Sequence, residues 1–189
     1  MKTLKTLVLI VIAGSLLVLS SCNKDDDNDP KTYLKYDNEE LSLKSGYLEN
    51  YGQDSTWSGF NVDLTLYSTG VTIHEIAGEL DSISGFGMLV YFEIYTSNGV
   101  GLDSRDFVYD VNETGAIGTF DLGVIANDIE DLTGFLIEDG VVNVKKDGNN
   151  YEITINCTDE NGKEISGYYK GELKYYDYSG TKSLKLIKE

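Results

Sequence analysis

The chain has 189 residues and a formal net charge of −17 at pH 7, from 32 acidic and 15 basic side chains. This balance argues against nucleic-acid binding, because phosphates need Lys and Arg to replace their counterions. It also argues against adhesion to an anionic lipid surface by charge. The chain is long enough for one domain with a sizeable core.

The first 21 residues have the three parts of a secretory signal in order. Two lysines give a positive start, residues 7–19 form an uncharged aliphatic run, and two serines precede Cys22. The aliphatic run is 13 residues long, whereas a helix that crosses a bilayer core needs roughly 20 apolar residues. The pattern therefore predicts a cleaved signal peptide over residues 1–21.

The predicted cleavage site, Leu19-Ser20-Ser21-Cys22, resembles the lipobox of bacterial lipoproteins. The resemblance implies that the Cys22 thiol is alkylated by diacylglycerol, that the leader is cut before this residue, and that the new amine is acylated. Several acyl chains such as palmitate give stable attachment, because each buried CH₂ contributes about 0.8 kcal/mol. A membrane, reached through this N-terminal lipid, is thus the first predicted partner.

Residues 22–32 are predicted to form a flexible acidic tether, because their composition cannot contribute to a core. Within it, Lys24, Asp25, Asp26 and Asp27 resemble the export signal of Bacteroidota surface lipoproteins, in which a lysine and acidic residues closely follow the lipidated cysteine. The resemblance implies a lipid-anchored protein of the outer membrane, displayed at the cell surface. A plain flexible spacer is the alternative. The segment lacks the glycine and the distal glutamate of an EF-hand calcium loop.

Residues 33–189 are predicted to form a single all-β domain, because apolar and polar residues alternate repeatedly. In residues 60–66, for example, Asn61, Asp63 and Thr65 alternate with apolar residues. Residues 88–94 and 151–158 repeat this pattern. A period of two is typical of half-buried strands with one polar face.

Turn residues separate these segments and predict the topology at the C-terminal end. Asp147-Gly148-Asn149 and Glu160-Asn161-Gly162 tolerate positive φ. We therefore predict a C-terminal antiparallel meander from Val141 to Tyr176. The whole domain is predicted as an antiparallel β-sandwich or β-barrel (jelly-roll or lipocalin-like) of about ten strands. Residues 125–133 are the best candidate for a short helical turn or structured loop.

From about residue 45 to residue 177, the chain resembles a recurrent domain of Bacteroidota surface lipoproteins. The resembling segments are residues 46–52, 89–94, 151–153 and 165–171. The resemblance implies an all-β surface domain and nothing catalytic.

The residue inventory argues against an enzyme, a metal site or a cofactor. A Ser or Cys nucleophile needs a base, and the only histidine, His74, is predicted at a solvated strand position. Cys157 lies on the apolar face of its strand, which predicts a buried, unreactive thiol. Zinc or haem sites built from His and Cys would need more of these residues. We therefore predict a non-catalytic protein. A glycoside hydrolase with two carboxylates remains a distant alternative.

Binding is the function class that the sequence favours. Trp57, the only tryptophan, lies in a polar, turn-rich stretch, and Tyr47 and Tyr51 add aromatic surface. Such rings stack on a sugar or anchor a protein contact, which predicts a binding module for a glycan, a peptide or a partner protein. The competing interpretations are that these rings only pack on the core, and that the protein is a structural or accessory component of a surface complex. The sequence does not determine an oligomeric state.

Overall fold

The computed structural model describes residues 31–129 and 133–180, and all regular structure in these ranges consists of β-strands. Their twelve strands are β1 (Tyr33–Tyr36), β2 (Glu39–Gly52), β3 (Phe60–Ser68), β4 (Val71–Ile76), β5 (Glu79–Gly85), β6 (Leu89–Thr96), β7 (Arg105–Tyr109), β8 (Thr119–Asp128), β9 (Thr133–Asp147), β10 (Asn150–Asp159), β11 (Glu164–Glu172) and β12 (Lys174–Asp177). The predicted all-β class is confirmed. The signal peptide, Cys22, Lys24 and Asp25 to Asp27 lie outside the described residues.

Nine strands close into a barrel, which decides between the two predicted architectures. The order is β1-β11-β10-β9-β7-β8-β6-β3-β2, and the pairing of β1 with β2 closes the ring. Strand β12 extends the sheet beside β2, while β4 and β5 form a separate hairpin. Because closure pairs neighbouring strands all round the ring, it removes the long open edges that a sandwich would leave.

Side chains from inward-facing rows fill the barrel. In β3, Val62, Leu64 and Leu66 are fully buried, and Val90 and Phe92 of β6 pack in the same core. The predicted alternation of these strands is therefore confirmed on its apolar side. Burying an aliphatic side chain of this size contributes about 1.5–3 kcal/mol relative to leaving it exposed, so this core is the main source of the domain's stability.

Two strand pairings are parallel, and the one between β7 and β8 lies within the ring and makes the barrel mixed. Strand β11 is antiparallel to the short β1, which is itself antiparallel to β2. Beyond the end of β1, the chain continues from β11 into β12 in the same direction, and β12 pairs with β2 in parallel. Similarly, β7 and β8 both pair with β9 in the antiparallel sense, so their own pairing is parallel.

The predicted meander is confirmed for β9, β10 and β11. Its predicted end is corrected, because Tyr176 belongs to β12 and pairs with β2 instead. The predicted helical turn or loop over residues 125–133 is wrong at its start. Ile125 is fully buried in β8 and lies opposite Val90 and Phe135, because residues 125–128 continue the barrel strand.

Candidate functional site

The outward face of β3 is polar and yet almost completely buried. The relative exposures of Asn61, Asp63 and Thr65 are 5%, 6% and 2%. The sequence pattern predicts a half-buried strand, whereas both faces of β3 are largely buried. Buried polar groups need hydrogen-bond partners, so the surroundings of Asp63 define the candidate site.

Four carboxylates lie across this face, and we call them the acidic row: Glu49 of β2, Asp63 of β3, Glu93 of β6 and Asp121 of β8. Glu49 and Glu93 lie directly opposite Asp63 on its two neighbouring strands. Directly opposed side chains have Cβ atoms about 4.5–5.5 Å apart. A register shift in the β6–β8 pairing adds Asp121 beside Glu93. Strand pairing therefore brings together residues from four distant parts of the chain.

Tyrosine hydroxyls donate hydrogen bonds to three members of the acidic row. The pairs are Tyr51 to Glu49 at 3.1 Å, Tyr91 to Asp63 at 2.5 Å and Tyr95 to Glu93 at 3.0 Å. The other Asp63 oxygen accepts from the Asn61 amide at 3.2 Å. Asp121 accepts from the backbone N–H of Gly115 at 3.1 Å. The row is thus held by neutral donors.

The acidic row has no cationic partner among residues 31–129 and 133–180, whose ion pairs all lie elsewhere. Burial raises the pKa of Asp63 well above its usual range, and the charges of Glu93 and Glu49 raise it further. Burial also raises the pKa of Glu49, and it raises the pKa of Asp121 to about 6, with a further contribution from Asp110 and Glu93. The cause is the same in each case, because a carboxylate removed from water favours its protonated form.

Trp57 borders one end of the acidic row. Its ring packs edge-on against Tyr95, with centroids 5.1 Å apart and planes at 73°. Gly115 lies against the ring with φ near +61°, and a Cβ there would lie 2.4 Å from the indole Cγ. A side chain at position 115 would therefore displace Trp57. The indole is partly exposed.

The other end of the acidic row is bordered by tyrosines of β2 and of the segment that begins with β12. The ring of Tyr51 stacks on Tyr178 at 5.7 Å, and Tyr178 lies parallel to Tyr176 at 6.4 Å. Tyr47 meets Tyr176 edge-on at 5.7 Å. Tyr51 is 38% exposed, whereas Tyr47 is 4% exposed. Of the three predicted ligand-binding aromatics, Trp57 and Tyr51 therefore reach the surface, whereas Tyr47 is buried against Tyr176.

The sequence analysis did not predict Glu49, Asp63, Glu93 or Asp121 as site residues. A usable signal was present, because acidic residues and tyrosines share the outward phase of adjacent strands. Reading that signal requires the strand register, which alternation within a single strand does not supply.

The residues considered for catalysis lie away from the acidic row. His74 is exposed on β4, as predicted, with its Nε2 atom 2.7 Å from the Ser84 hydroxyl. Cys157 is buried, also as predicted, and burial raises the pKa of its thiol to about 12. Within the described ranges, no three His, Cys, Asp or Glu side chains are grouped to hold a metal ion. Nor does this part of the chain contain a helix long and apolar enough to span a bilayer.

Comparisons with protein-family models, with curated proteins and with solved structures found no match to this chain.

Proposed function

We propose that the protein is a non-catalytic, lipid-anchored surface protein whose barrel binds a glycan at the acidic row. The observation that carries this proposal is a set of carboxylates that have no ion-pair partner among the described residues and that lie beside partly exposed aromatic rings. Carboxylates accept hydrogen bonds from sugar hydroxyls, and the C–H faces of sugar rings pack on aromatic rings. The row already accepts hydrogen bonds from tyrosine hydroxyls, and a sugar hydroxyl is a donor of the same kind.

The residues of the site differ in how accessible they are to a ligand. Glu93 and Asp121 are half-buried, and Trp57 and Tyr51 are at least partly exposed, so these four residues meet the ligand. Asp63 is buried between them and orients Tyr91, whose hydroxyl donates to it. This arrangement supplies acceptors and a stacking surface in fixed positions, which lowers the entropy lost on binding.

The hydrogen bonds of Asp63 support a binding role over hydrolysis. A glycosidase needs one carboxyl group to donate a proton to the substrate and a second to act as nucleophile or base. Burial raises the pKa of Asp63 well above its usual range, but both of its oxygens already accept hydrogen bonds. Mass spectrometry of bound glycans after incubation with the protein should show no shortened product. Cleavage would favour the hydrolase alternative.

Replacing Trp57 by alanine is expected to weaken glycan binding roughly tenfold, because loss of one stacking ring costs about 1.5 kcal/mol. A glycan array of the full chain selects the ligand, and titration calorimetry measures the change in its Kd. Phe86→Ala is the control, since Phe86 is an exposed ring on another part of the surface.

The variant Glu93→Gln separates binding from folding, because it keeps the shape of the side chain while removing the acceptor charge. It should also weaken binding of the selected glycan while leaving the melting temperature close to that of the parent. The proposal fails if no glycan binds the full chain, or if both variants bind like the Phe86→Ala control.

The proposed anchor is lipid on Cys22, and the proposed address is the outer face of the outer membrane. The N-terminal resemblances support both. The first barrel strand begins at Tyr33, so a tether over residues 22–32 would separate the barrel from the lipid.

Replacing Asp25, Asp26 and Asp27 together by alanine is expected to retain lipidation but to reduce surface display severalfold. Digestion of intact cells by added protease measures the displayed fraction. The matched control replaces Asp81, Asp106 and Asp147, three exposed aspartates of the barrel domain. Unchanged display of the tether variant would indicate that these acids are only part of a flexible spacer.

A second candidate function is an accessory component of a surface complex. Val108, Val111 and Ile117 are exposed around β7, and the Val108 N–H donates to the Gly118 carbonyl at 3.0 Å, which places Ile117 nearby. Exposed apolar residues of this kind occur at protein contacts. A stable partner that is captured by the full chain and lost with Val108→Ser would favour this function.

A further inference from the structure

The mouth of the barrel near the β9–β10 turn holds a pocket that is distinct from the acidic row. Its volume is about 250 Å³, and its lining includes Leu48, Lys146, Tyr151, Leu173 and Tyr175. Leu48 and Tyr151 also belong to the buried core, so the pocket borders the core of the barrel. Barrel mouths are frequent binding sites for small ligands.

Lys146 occupies an inward-facing position of β9. It follows Val142 and Val144 in the same phase of the strand, and both valines are buried. Its Nζ atom lies 5.3 Å from the centre of the Tyr151 ring. The ion pairs of the described residues do not include Lys146, although the adjacent Lys145 pairs with Glu152 at 2.9 Å. Lys146 therefore presents a cation at the mouth in a strongly acidic protein.

The Lys146 ammonium and the Tyr151 hydroxyl converge over Gly101. A Cβ at position 101 would lie 2.5 Å from the Tyr151 oxygen and 3.2 Å from Nζ. Gly101 has φ near +124°, a conformation that L side chains rarely adopt. Within the described ranges no residue hydrogen-bonds the Tyr151 hydroxyl, so two donors face one small space that a side chain would fill.

Hydrogen bonds hold the segments that carry the lining residues, including the β6–β7 loop with Val100. In the β6–β7 loop, Asp103 accepts from the Ser97 N–H at 2.7 Å and from the Ser97 hydroxyl at 3.0 Å. The Lys146 N–H donates to the Ser104 hydroxyl at 2.9 Å, which ties β9 to the same loop. The Tyr175 hydroxyl donates to the Gly99 carbonyl, so its ring stands at the mouth.

We propose that this pocket binds a small ligand with a single carboxylate. The Lys146 ammonium and the Tyr151 hydroxyl hold the carboxylate, because charge-assisted hydrogen bonds to one anion are the strongest contacts these donors can make. The body of the ligand packs on Leu48 and Tyr175. Glu172 also lines the pocket, and its carboxylate would repel a second negative charge on the ligand. The volume lies below the range of about 300–1,000 Å³ for drug-sized pockets, which fits a single ring.

The test measures binding of two carboxylates and their neutral counterparts to the full chain. Ligand-observed NMR and calorimetry compare glucuronate with glucose, and benzoate with benzyl alcohol. At least one carboxylate should bind about tenfold more tightly than its counterpart. A preference for glucuronate identifies a sugar acid as the source of the carboxylate, and a preference for benzoate identifies an aromatic acid.

Lys146→Gln should weaken binding of the preferred carboxylate about tenfold and leave binding of its neutral counterpart unchanged. Lys145→Gln is the matched control and should bind like the parent, because Lys145 lies in the opposite phase of the strand. Trp57→Ala should also leave this binding unchanged, which separates the pocket from the proposed glycan site. The proposal is overturned if neither carboxylate binds, or if Lys146→Gln binds the preferred one as tightly as the parent does.

Discussion

Replacing Asp63 by asparagine is expected to raise the free energy of unfolding at pH 8 and to change it little at pH 4. Asp63 is buried and has no ion-pair partner within residues 31–129 and 133–180, and burial raises its pKa well above the usual range. Asparagine has the same shape and no charge. The Tyr91 hydroxyl, which now donates to Asp63, can also accept from an amide.

The direction of the pH dependence follows from proton binding. A carboxyl group whose pKa is raised by folding binds its proton more tightly in the folded state. Its protonated form therefore favours the fold, and this contribution is lost as the pH rises from about 4, the unfolded pKa, through the folded pKa. For Asp121 the folded pKa is about 6, so its part of the loss falls between about pH 4 and 6.

Urea unfolding between pH 4 and 8 measures the effect of Asp63→Asn. The stabilisation at high pH should be about 1.4 kcal/mol for each unit by which the Asp63 pKa is raised. Glu40→Gln is the control, because Glu40 is exposed on β2 and its removal changes the net charge equally. Less self-repulsion in an acidic protein would stabilise both variants. If the free energy of unfolding changed with pH equally in the two variants, the free-energy cost attributed to the buried Asp63 carboxylate would be contradicted.

Replacing Cys22 by alanine is expected to abolish lipid labelling completely. Without the thiol, diacylglycerol has no attachment point, so the leader remains uncleaved or the chain is released in soluble form. Metabolic labelling with an alkyne fatty acid, followed by membrane fractionation, measures the loss.

Cys157→Ala provides the matched control for the anchor. Cys157 is the other cysteine of the chain and is buried in the barrel, so its removal should leave labelling intact. Label that persists in Cys22→Ala would refute the lipobox assignment.

The apolar side of the fold could be predicted from the sequence, because strand alternation is a local property. Val62, Leu64 and Leu66 point into the core as their spacing indicates. Closure could not be predicted in the same way. The pairing of β1 with β2 and the parallel pairing of β12 with β2 depend on which strands meet in space, and period-two patterns are the same in a sandwich and in a barrel.

The candidate site shows the same division. Trp57 and Tyr51 could be named from composition, since a lone tryptophan in a polar loop is conspicuous. The acidic row could not be named, because Glu49, Asp63 and Glu93 become neighbours only through the register of three strands. A shift of one residue in that register would turn Asp63 toward the core.

The sequence by itself determined an all-β domain, and it predicted the leader and the lipid anchor at Cys22, because these are encoded in short, contiguous patterns. Only the tertiary structure decided that the barrel closes, that Asp63 is buried on its outer face, and that Lys146 and Tyr151 converge over Gly101. The physical reason is that hydrophobic periodicity specifies which side of a strand faces the core. Strand pairing specifies which polar groups of different strands become neighbours.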